Sequence, residues 1–85
     1  MTIEAKKMMC DYYHKGNFPM LVAHSDGWDI YAKAEKDENG SIYCAAIPTT
    51  PDRLPHGYGT IHHVSRMIMQ GHLRPVIGNL HLAAA

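Results

Sequence analysis

The chain has 85 residues, 46% of them hydrophobic and 19% charged, and its eight basic side chains balance eight acidic ones. That length holds one hydrophobic core, burying about 60–65% of the unfolded surface. The composition excludes a disordered chain, and the zero net charge argues against a protein that lives by gripping phosphate backbones. Charge is nonetheless uneven. Every acid except Asp52 lies at or before Glu38, whereas Arg53, Arg66, Arg74 and five of the seven histidines follow. Mild acid, below about pH 6.5, is expected to make that half cationic. Cys10 and Cys44 are too few for a disulfide scaffold and read as reduced thiols of a cytoplasmic protein. No apolar run approaches the roughly 20 residues of a membrane span. The opening MTIEAKKMMC lacks the apolar segment of a signal peptide.

A helix is predicted over residues 3–15. Thr2 suits its N-cap and Glu4 its first turn, and Ala5, Met8, Met9 and Tyr12 form one apolar stripe before Gly16-Asn17 ends it. A first strand begins near Met20. In WDIYAKAE, Trp28, Ile30, Ala32 and Ala34 alternate with Asp29, Tyr31, Lys33 and Glu35, which is the pattern of a half-buried strand. DENGS is a hairpin turn, and IYCAAI returns.

A three-residue loop with Gly40 left-handed pairs Asp37 with Ser41. It places Ile42, Cys44 and Ala46 on the Trp28 face, whereas a two-residue loop would put Ile42 and Cys44 on the face of Lys33 and Glu35, so the three-residue loop is preferred. The same loop at Ser25-Asp26-Gly27 pairs His24 with Trp28 and adds Met20 and Val22. This register leaves Leu21, Tyr31 and Ile47 in one row on the opposite face, with Glu35 opposite Tyr43 and Lys33 opposite Ala45.

PTTPDRLPHGYG reads as a loop. Thr60 caps a second helix over 61–70, with Ile61, Val64, Met67 and Ile68 inward and Gly71 as its stop. LRPVIGNLHL is expected to be an extended tail or a short edge strand. The closing Ala83-Ala84-Ala85 reads as a remnant of cloning. The fold class is therefore α+β, a single domain over 1–85 in the order α-β-β-β-α: a three-stranded antiparallel meander with both helices on the Trp28 face. This order and size resemble double-stranded-RNA-binding domains. That family carries a lysine cluster where this chain has TIHHVSRM, so the resemblance stops at order and size.

The sequence offers three kinds of site. The first is the uncovered sheet face, where Leu21, Tyr31, Tyr43 and Ile47 make an apolar patch of the kind that marks an interface with a protein partner or a second copy. The alternative is that the tail covers it. The second is HGYGT, leading into a helix N-terminus, where Gly57, Gly59, Thr60, His62, His63 and Arg66 could hold a phosphate or nucleic acid. It matches neither the phosphate loop nor the dinucleotide fingerprint. The third is a metal on Cys10 and His14, one helical turn apart. Two ligands are short of the usual four. No nucleophile has an identifiable activating partner, so no catalytic residue is assigned and no cofactor is implied. The expectation is a non-enzymatic binding protein acting through its open sheet face as homodimer or with a foreign protein. Its size fits an accessory or inhibitory factor, for instance one encoded by a phage.

Overall fold

The computed structural model describes residues 2–84. It is an α+β domain whose elements run α1 (Ile3–Tyr12), β1 (Met20–Ser25), β2 (Trp28–Ala32), β3 (Tyr43–Pro48), β4 (His56–Thr60), α2 (Ile61–Met69), β5 (Arg74–Pro75) and α3 (Ile77–Ala84). The strands form one antiparallel sheet in the order β4-β3-β2-β1-β5. The expected meander is its centre. Two edge strands and a third helix extend the expected order, so α-β-β-β-α is corrected.

The Trp28 face holds the larger core. Val22, Ala23, Ile30, Ala32, Ile42, Cys44 and Ala46 pack with Ile61 and Val64 of α2, with Leu73 just before β5, and with Ala83 of α3. Met67 and Ile68 complete the expected stripe of α2. That helix ends one residue early. Gly71, at φ 83°, donates to Ile68 O, and His72 donates to Met67 O, which is the Schellman arrangement that satisfies the last carbonyls. Thr60 is extended before α2, but its side chain makes no capping hydrogen bond.

Strands β2 and β3 present the expected faces, but two registers differ, and past Val22 strand β1 turns Ala23 and Ser25, rather than His24, toward the Trp28 face. Asp37 N–H does donate to Ser41 O, and Gly40 is left-handed at φ 76°. Between that turn and the ladder, however, β2 carries two more residues than β3. Tyr31 therefore pairs with Ala45, Ile47 with Asp29, and Lys33 N–H meets Tyr43 O. A slip of two keeps every side chain on its face. In the β1–β2 turn, Ser25 rather than His24 pairs with Trp28, around a two-residue Asp26-Gly27 loop with Gly27 at φ 82°. An irregularity at Val22 then absorbs the one-residue difference, and Leu21 does lie opposite Tyr31.

Residues 56–60 are a strand, not a loop. Gly57 and Gly59 had the look of turn residues, yet each answers a close approach or a special backbone angle. A Cβ on Gly57 would fall on Tyr43 Oη, and Gly59 sits at φ 102°. Tyr58 between them packs onto the core. Residues 77–84 are helical rather than extended. Leu80 and Ala83 pack on the Trp28-face core, and Asn79 Nδ2 donates to Leu21 O at 2.9 Å. The short edge strand expected in the tail is β5, pairing Ala23 with Pro75 and His24 with Arg74. Of the three closing alanines, Ala83 is buried, and Ala85 lies outside the described residues.

The first helix departs most from expectation. It does not pack on the Trp28 face. Thr2 Oγ1 accepts from Ala5 N at 3.0 Å, as its cap should, but the helix stops at Tyr12. Residues 13–18 then fold back, with Phe18 N–H donating to His14 O and Asn17 Nδ2 to Tyr12 O. This delivers Phe18 to the opposite face of the sheet. There it is fully buried with Tyr31 and Ala45, ringed by Tyr13, Leu21, Tyr43 and Ile47.

Candidate protein-interaction face

The row expected to look outward is covered. Tyr31 is only 8% exposed, beneath Phe18 and with Lys15 Nζ 5.5 Å from its ring centre. It is not available to a partner. Leu21, Tyr43 and Ile47 are half-buried at the rim of the same cluster. The cover is the segment after α1, not the C-terminal tail, which lies on the Trp28 face. Sequence reasoning missed Phe18. It is the sole phenylalanine, set between the Gly16-Asn17 turn and Pro19, and a lone large aromatic in a turn is a signal of local burial.

Covering the row moves the apolar surface rather than removing it. No residue of α1 is buried. Ile3 is 86% and Met8 70% exposed, and Tyr12 is also exposed. Of the stripe, Met8 and Tyr12 are exposed, whereas Ala5 and Met9 are half-buried. Only its C-terminal end is clasped. Tyr12 and Tyr13 sit edge-on at 4.9 Å, and both rings lie 5.8 Å from Phe18. Lys33 Nζ donates to Tyr12 Oη at 3.0 Å and stands 5.2 Å over the Tyr12 ring and 5.5 Å over Phe18. Beside this clasp opens a groove of about 490 Å³ between Tyr12 and Tyr43, walled by Lys33, Lys36, Asp37 and Ser41. Burial, and then the neighbouring Tyr13 phenol, raises the Tyr43 hydroxyl above its usual range, so it stays protonated as a donor. Tyrosines beside an apolar helix, rimmed by both signs of charge, have the composition of an interface.

The other two sites fare differently from what spacing suggested. Gly57, Gly59 and Thr60 spend their backbone pairing with β3, and Ile61 N–H, at the start of α2, already donates to Ile42 O. His63 packs against Gly59 and lies 5.1 Å from the Tyr58 ring, while His62 and Arg66 are exposed. These six residues are neighbours, but they form a paired strand and a helix flank rather than an open glycine cradle. Cys10 and His14 are not one helical turn apart, because α1 ends at Tyr12. His14 Nδ1 accepts from Gly16 N at 2.9 Å, and Cys10 is exposed. Cys44 lies in the Trp28-face core, where burial pushes its thiol up to about 12, the reverse of an activated nucleophile. Among the described residues no three His, Cys, Asp or Glu side chains converge to hold a metal, and no helix is long and apolar enough to cross a membrane.

Comparison with known proteins finds no family model, no curated protein and no solved structure that matches this chain.

Proposed function

We propose that this chain is a non-enzymatic binding protein whose contact surface is α1 together with the groove beside it, and whose partner is a second copy or another protein. This reading moves the contact surface off the expected sheet-face row, where Tyr31 is buried, Leu21, Tyr43 and Ile47 are half-buried, and only Tyr43 lines the groove. The observation that carries this reading is a ten-residue helix with an apolar stripe and no buried residue. Helices shorter than about 12–15 residues are marginal in water and draw their stability from packing an apolar face. Large exposed apolar side chains gathered on one element mark an interface more often than isolated ones do. The free thiols at Cys10 and Cys44 suit a reducing compartment such as the cytoplasm.

The test is Met8→Glu, with Met69→Glu as control, since Met69 is even more exposed than Met8 but lies on α2. Light scattering at about 0.1 mM should report a dimer that Met8→Glu converts to monomer, consistent with dissociation constants in the micromolar range. Failing self-association, a defined host protein cross-linked through α1 should be lost with Met8→Glu and kept with Met69→Glu. A monomer with no α1-dependent partner overturns the reading.

A further inference from the structure

Across the sheet from α1, the Trp28 end of the large core is left open. Helix α2 packs on β4 and β3 and helix α3 on β1. The Trp28 end holds a cleft of about 240 Å³ with an apolar floor of Ile30, Ala46 and Leu73 and walls of Trp28 and Tyr58. His56 and His72 stand on its rim. A second depression of about 160 Å³ continues from it through Ser25, His72 and Leu73 to His24 and Arg74. The Arg53 guanidinium sits 5.6 Å over the Trp28 ring, and His56 meets the same ring edge-on at 5.1 Å.

The charges around this cleft lean one way. His56 and His72 line the cleft, His24 and Arg74 line the second depression, and Arg53 stands over the Trp28 ring, against Asp26 in the second depression and Asp52 next to Arg53 in the chain. The carboxyl of Asp52 is held low first by its hydrogen bond to Thr50 and only later in order by Arg53. Imidazole N–H and guanidinium groups are donors that suit carboxylate and phosphate oxygens. An apolar floor with a few polar groups at the mouth is the usual form of a small-ligand site, here at a size that takes a ring rather than a drug-sized body.

We infer that this cleft binds a small ring-bearing anion, its ring lying on Trp28, Ile30 and Leu73 and its carboxylate or phosphate held by Arg53, His56 and His72. Two sources share that chemistry, an aromatic carboxylate and a nucleoside phosphate, and the experiment separates them. Trp28 is the only tryptophan, so its emission reports the site directly. Benzoate and adenosine 5′-monophosphate are titrated separately, with benzyl alcohol and adenosine as uncharged counterparts. At least one anion should change Trp28 emission saturably, and its uncharged counterpart should bind at least about tenfold more weakly, as loss of a charge-assisted hydrogen bond implies. Arg53→Ala and His72→Ala, both at exposed positions, should each weaken the anion by about tenfold or more. His62→Ala, exposed on α2 and outside the cleft, should leave it unchanged. Saturation by benzoate alone assigns an aromatic carboxylate, and saturation by the nucleotide alone assigns a nucleoside phosphate. The inference is overturned by no saturable change with either anion at about 10 mM, well above the roughly millimolar constants of weak ligands, or by binding indifferent to Arg53 and His72.

Discussion

Phe18→Ala tests the packing of the second face. Phe18 is the larger of the two fully buried side chains there, packed with Tyr31 and Ala45, with the rings of Tyr12, Tyr13 and Tyr43 within 6.3 Å. Truncating a buried phenylalanine costs about 3–5 kcal/mol, through lost transfer energy plus the cavity left behind. The lower end applies here, since the cluster is roofed by a short segment that can settle into the space. We expect about 3 kcal/mol. An 85-residue domain has about 4–13 kcal/mol in total, so the variant should fold but sit near its threshold. In urea, with a slope of about 1 kcal/mol per molar, the midpoint should fall by about 3 M at unchanged slope. Ile3→Ala is the matched arm. Ile3 is 86% exposed on α1, and its truncation should stay within about 0.5 kcal/mol. If Phe18→Ala costs under about 1 kcal/mol, or Ile3→Ala costs as much as Phe18→Ala, then α1 rather than residues 13–18 closes a face of the sheet and the packing described above is wrong.

Buried and crowded positions fix further outcomes. With a disulfide-exchange reagent at pH 8, the native protein should show one fast thiol, Cys10, and a second only in denaturant, because Cys44 at about 12 is thiolate to roughly one part in ten thousand; two fast thiols would contradict the burial. The unfolded thiol ionises first, so the stability held below about pH 9 should decline as pH rises from there toward 12, by at most about 1.4 kcal/mol per pH unit. Gly57→Ala should lower the melting temperature, since the new Cβ meets Tyr43 Oη and lies 3.1 Å from Tyr13 Oη, at a cost of about 1–2 kcal/mol. Gly78→Ala, in α3 with open space around it, should raise stability by about 0.5–1 kcal/mol, and the reverse order of these two glycines would refute the account of β4.

The central sheet was legible because its information is local and periodic. Trp28, Ile30 and Ala32 share a face with Cys44 and Ala46 whether the hairpin pairs Tyr31 with Ile47 or with Ala45, since the two registers differ by two residues. The stripe Ile61, Val64, Met67 and Ile68 is equally local, and so is the stop at Gly71. What could not be read is which surface answers which. Ala5, Met8, Met9 and Tyr12 announce a stripe that wants cover, but nothing in their spacing says that Phe18 would reach the free sheet face first. The glycines of β4 announce backbone freedom, but they serve Tyr43 and a sheet edge rather than a turn. Gly78 and Pro75 hid α3, whose helix is held by Leu80 and Ala83 against the large core. The Trp28 cleft is less legible still, because its lining comes from β1, β2, β3, β4 and the chain after α2.

The sheet has two faces, and the chain closes them by unequal means. Two helices seal most of one; a folded-back segment with a single phenylalanine seals the other. Phe18 occupies the ground over Tyr31 and Ala45, and α1 is left with Ile3, Met8 and Tyr12 exposed while Ala5 and Met9 are half-buried. The clasp of Tyr12, Tyr13 and Lys33 fixes where the helix leaves the sheet, so the stripe is presented at a set position beside the Tyr12–Tyr43 groove rather than trailing freely. A helix so anchored needs little further ordering when something docks on it, and reduced ordering is what converts modest apolar contact into useful affinity. Loosening the clasp should therefore weaken association even where Met8 is untouched, which separates a presented helix from a merely sticky one.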